Sequence, residues 1–204
     1  MGLGISVGFL ADQIVHDPEG AQWVREELEK LNAVLAENQL SAHREPETIP
    51  ALRFRGCQGF PYSFLHYLRR AYAFLSEGKP VPDGELSAEH DRVIEDAGSM
   101  LDSHLLCHSD AEGFYVPQDF EDPIFDDALP GAMLGSTQRL KLELQKVAPA
   151  VGIELVEGEP SEATLESLSE VEDEGPHYRE KIVWLALWEA CEASLEHNTL
   201  IVFG

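Results

Sequence analysis

HLLCHSDAEGFYVP, residues 104–117, packs two histidines, a cysteine, an aspartate and a glutamate into its first nine positions. As a helix, the stretch would set His104 and His108 one turn apart, with Cβ atoms about 5–6 Å from each other, a spacing that suits one metal ion. As a strand, the same histidines share a face but stand roughly 13 Å apart. The residues beyond them favour the strand. SDAEG is rich in turn formers, FYV is strongly β-prone, and Pro117 ends the run. The stretch therefore reads as a β-hairpin, with Cys107 on the face opposite the histidines. No metal is expected there. His104, His108, Asp110 and Glu112 gather near the hairpin tip, where loop residues can bind a ligand or move a proton. The simpler reading is that the acids shape the turn while the histidines fill half-buried positions.

Working outward, residues 3–9 read as a strand. A helix follows, with Asp17 as N-cap and Pro18 at its first position, carrying Val24, Leu28, Leu31 and Leu35 inward as far as about Asn38. Residues 51–55 read as a short strand that GCQG turns into a helix from Pro61 to about Ser76. Ser87 can cap a further short helix through about Ala97. The acid- and proline-rich stretch 118–134 reads as a surface loop. Ser136 can cap a helix carrying Leu140, Leu144 and Val147, and residues 151–156 look strand-like. A last helix starts at Pro176, and LIVF (200–203) closes the chain as a buried strand. The expected class is α+β: a mixed β-sheet with an internal hairpin, covered by about five helices. Residues 1–204 are expected to make one domain. Residues 157–175, with eight acids and no base, are expected to form an acidic insertion or flexible arm around a marginal helix.

The charge layout is unusual. The chain of 204 residues carries 38 acids against 14 lysines and arginines, a formal net charge of −24. Such a field repels nucleic acid and anionic membrane and steers a basic partner; solubility alone, or a salty cytosol, would also account for it. No apolar run approaches the roughly 20 residues of a membrane span. Three separated cysteines and no basic, apolar leader suggest a reduced cytoplasm.

Against this background, residues 48–76 contain no acid at all, yet hold Arg53, Arg55, Arg69 and Arg70. Arg53 and Arg55 would share a strand face. On the helix, Leu65, Leu68, Tyr72 and Leu75 form the core stripe, and Tyr62, Ser63, His66, Arg69 and Arg70 fall on the other side. Strand, turn and helix N-terminus can then present Arg53, Arg55, Tyr62, His66, Arg69 and Arg70 to a carboxylate or phosphate. The competing reading is internal pairing with acids from elsewhere in the chain.

There is no nucleophile elbow, phosphate loop, His-Glu-x-x-His or Cys-x-x-Cys motif. The easily recognised enzyme classes are thereby removed, and no cofactor is expected. FPYSFLHYLRRAY, HLLCHSDAEGFYVPQDF, LGSTQRL and EHNTLIVF together resemble a family of uncharacterised bacterial proteins of similar length. That resemblance implies a bacterial cytosolic domain and carries over no site. The leading expectation is a soluble, acidic, cytosolic interaction protein with a basic protein partner, of the kind an immunity-type inhibitor of a toxin or nuclease would be. The alternative is a small-molecule binding protein or enzyme with an arginine-lined anion pocket.

Overall fold

The computed structural model describes residues 2–171 and 174–204. In chain order its elements are β1 (Gly2–Val7), α1 (Phe9–His16), α2 (Pro18–Glu37), β2 (Gly59–Pro61), α3 (Tyr62–Ser76), α4 (Ala88–Gly98), α5 (His104–Cys107), β3 (Gly113–Val116), β4 (Ile124–Phe125), β5 (Met133–Ser136), α6 (Thr137–Val147), α7 (Glu162–Ser169), α8 (Tyr178–His197) and β6 (Ile201–Phe203). The strands join one sheet in the order β2-β1-β6-β3-β5-β4. Among the described residues only the β3–β5 pair is parallel, so the sheet is mixed, as expected.

Strand alternation sorts side chains onto two faces. Leu3, Ile5, Tyr115, Ile201 and Phe203 point into the larger core with residues of α3, α6 and α8. Phe114, Val116, Leu134 and Val202 point the other way, onto Leu31, Val34 and Leu35 of α2. The result is a sheet covered on both faces. The five expected helices are α2, α3, α4, α6 and α8, and the short α1, α5 and α7 join them.

Four expectations are corrected. Residues 104–117 do not form a hairpin: 104–107 is a one-turn helix, and only 113–116 is a strand. β4 and β5 instead pair antiparallel, beginning inside the stretch expected to be loop. Residues 51–55 lie outside any strand, and the strand of this region comes later, at 59–61. Residues 151–156 are not a strand: a 3-10 turn ends at Val151, and only Val156 pairs, in an isolated bridge to Glu159.

The acidic segment packs on the body over 157–171. Leu168 of α7 is buried in the main core, and Lys141 links Glu159 to Glu192 of α8 at 2.9 and 2.5 Å. The part of the expected arm at 172–173 lies outside the described residues. No helix among the described residues is long and apolar enough to cross a membrane.

Candidate functional site

The acid-free arginines are placed by α3. This helix packs against α8 on one side and against α4 and α5 on another, so its middle is covered nearly all round. Arg69 and Arg70 are buried in consequence. Arg69 Nε donates to the Leu105 carbonyl at 3.0 Å, and its Nη2 donates to the His108 carbonyl. These are the open carbonyls at the end of α5. Arg70 Nη2 donates to Glu180 Oε1 at 2.9 Å, and its Nη1 donates to the Gly84 carbonyl at 2.8 Å. Tyr62 packs on the core. His66, half-exposed, meets Asp110 at 3.0 Å.

Arg53 and Arg55 stand apart from this group, in a hollow also lined by Glu162, Glu189, Glu192 and Glu196. Arg55 pairs with Glu162 at 2.6 Å. The turn after it does gather an anion, but the anion is the chain's own: the Glu189 carboxylate accepts the N–H groups of Arg55 and Gly56 at 2.9 Å. A small external anion would meet four glutamates here. The six residues therefore do not converge on one pocket.

The 104–112 segment is equally committed inward. Glu143 of α6 accepts the N–H of His104 at 2.9 Å and of Leu105 at 2.7 Å, while Ser103 Oγ accepts from Leu106. The Tyr115 hydroxyl donates to the His104 carbonyl at 2.8 Å. The Ser136 N–H can only donate, so His104 Nδ1 accepts it at 2.9 Å, and Nε2 carries the proton toward the Glu121 carbonyl at 3.1 Å. Burial lowers the His104 pKa and holds the ring in this neutral form. His108 stacks on Tyr115 at 4.2 Å, and burial pushes its pKa down to about 4. Ser109 Oγ accepts the N–H of Ala111 and Glu112, a side-chain-capped turn that leaves Glu112 exposed. His104 and His108 are one helical turn apart after all, yet each ring is buried among partners of its own. Among the described residues, no group of three or more His, Cys, Asp or Glu is arranged to hold a metal ion.

What remains at the surface is acid. Two hollows, of about 350 and 430 Å³, share Tyr72, Asp102 and Lys146 and so form one groove between the end of α3, the α4–α5 link and α6. Asp96 and Glu77 line one end and Glu121 and Asp122 the other, with Asp102 between. Glu143 lies in the wall, where burial raises its pKa to about 7. Asp96, Asp102, Glu121 and Asp122 are exposed, and among the described residues none lies within 4.0 Å of a lysine or arginine nitrogen. The two cations beside them are held elsewhere. Arg139 pairs with Asp119 at 2.6 Å, and Lys146 lies over the Tyr72 ring at 4.8 Å.

The sequence marks 118–134 as acid-rich and so points to Glu121 and Asp122, but Asp96 and Asp102 were missed. The available signal was EDAGSMLD (95–102), acids framing the apolar pair Met100 and Leu101, both of which the fold leaves exposed.

The model of one protein family, described as "Putative DNA-mimic protein", matches residues 1–203. No curated protein and no solved structure matches the chain.

Proposed function

The chain belongs to this DNA-mimic family, matched from end to end, and we propose on that premise that its acidic groove occupies the DNA-binding surface of a basic protein. The observation that carries the reading is the set Asp96, Asp102, Glu121 and Asp122, exposed and, among the described residues, in no ion pair with a lysine or arginine. Double-stranded DNA offers one negative charge per about 1.7 Å of axis, and proteins that bind it do so largely through these charges. A protein face carrying carboxylates without paired cations addresses the same lysines and arginines. The net charge of −24 speeds the encounter and makes it sensitive to salt.

In its finer form, the partner is a nuclease or toxin that acts on DNA, and occupation of its basic surface inhibits it. Because the chain is acidic, the inhibitor contacts the protein and never the DNA.

The test is competition. Labelled duplex DNA is bound to candidate DNA-binding proteins from the same cell, and the acidic protein is titrated in. The expected result is displacement of DNA from at least one of them, weakening steeply as salt rises from 50 to about 200 mM. Displacement that does not respond to salt, or none from any basic partner, overturns the reading.

A further inference from the structure

Two of the seven large apolar side chains exposed among the described residues line the acidic groove, Met100 at 71% and Leu142 at 53%, and Leu101, next to Met100 in the chain, is 54% exposed. Met100 lines one hollow and Leu142 the other. Each hollow therefore combines carboxylates with one exposed apolar side chain. Leu101, between Met100 and Asp102, is held at φ +58°, a left-handed conformation disfavoured for a bulky residue. A surface selected only for negative charge has no use for apolar groups in its recesses.

We propose that the groove takes an amphipathic basic helix of its DNA-binding partner, pairing arginines or lysines with Asp96, Asp102 and Asp122 while apolar residues of that helix cover Met100 and Leu142. This rests on the reading of the acidic face as a DNA surrogate and adds the kind of element it receives. A recessed surface accepts a convex element. The pairing of carboxylates with one exposed apolar side chain in each hollow matches the mixture of basic and apolar side chains on such a helix. Charge supplies the encounter and the apolar contacts select the partner.

The probe is a labelled synthetic basic helix with arginines interleaved with leucines, compared with a peptide of equal charge whose leucines are replaced by serine. At 100 mM salt the first binds about tenfold more tightly or better, from the added apolar burial. Met100→Ser with Leu142→Ser abolishes that preference, whereas Val15→Ser and Val156→Ser, exposed elsewhere, leave it intact. Equal binding of both peptides, unaffected by Met100→Ser and Leu142→Ser, overturns this inference and leaves the acidic surrogate standing. Binding of neither peptide at low salt overturns both.

Discussion

Arg69 donates to the Leu105 carbonyl at 3.0 Å, and the same guanidinium reaches the carbonyl of His108. A helix of four residues has no stability of its own, so α5 exists because α3 closes its last carbonyls. Arg69→Ala should lower the unfolding free energy by about 2–4 kcal/mol, the cost of unpaired buried carbonyls and lost packing. Urea denaturation measures it, with the exposed Arg53→Ala staying within about 0.5 kcal/mol as the control.

The Arg70–Glu180 pair is buried on both sides. Removing either partner strands a buried charge at a cost of about 3–5 kcal/mol. Replacing both with apolar residues of similar size, Arg70→Met with Glu180→Leu, should cost less than the sum of the single changes. A double-mutant cycle in urea checks this; additive losses would show the charges do not interact.

Stability against pH carries two opposed slopes. Glu143 titrates near 7 in the folded state against an ordinary 4.5. The folded protein thus binds more protons than the unfolded chain between these values, and stability falls as pH rises. His108 titrates near 4 against 6.5, and its slope has the opposite sign. Glu143→Gln should therefore leave the histidine slope exposed. Its stability should rise more steeply than wild type between pH 5 and 6.5, by up to about 1.4 kcal/mol per pH unit. An unchanged slope would show that Glu143 does not titrate in this range. At neutral pH the same change sets an amide donor against the N–H of His104 or Leu105, at a cost of about 1–3 kcal/mol.

His104 fixes the acidic loop by donating to the Glu121 carbonyl at 3.1 Å. His104→Phe keeps a ring in place but leaves that carbonyl and the Ser136 N–H without their partner. Faster hydrogen exchange at Ser136, with a stability loss of about 1–3 kcal/mol, is the expected signature. Unchanged exchange would show that the ring does not anchor the loop.

The long helices were readable because their apolar spacing and caps are local. Pro18 opens α2, and the side chains of Ser87 and Ser136 each accept an N–H three residues on. The stretch 104–117 misled because its partners are distant: Glu143, Arg69 and Tyr115 impose a helix that no local propensity favours. The placement of Arg69 and Arg70 off the core stripe followed helical periodicity, yet the middle of α3 is enclosed on several sides, so these two arginines are buried too. The charge imbalance was legible from composition. Which carboxylates stay unpaired was not, since Asp96, Asp102 and Glu121 come together only through packing of α4, α5 and α6.

The proposed function requires that one face, rather than bulk charge, stands in for DNA. It is tested by displacing labelled duplex from a basic DNA-binding partner with two variants of equal net charge. One is neutralised in the groove (Asp96→Asn, Asp102→Asn, Glu121→Gln, Asp122→Gln). The other is neutralised on α2, across the sheet, at exposed glutamates (Glu19→Gln, Glu26→Gln, Glu29→Gln, Glu37→Gln). The groove variant should lose potency by at least about tenfold while the α2 variant stays within a few-fold of wild type. Equal losses, or a larger loss from α2, would contradict the account.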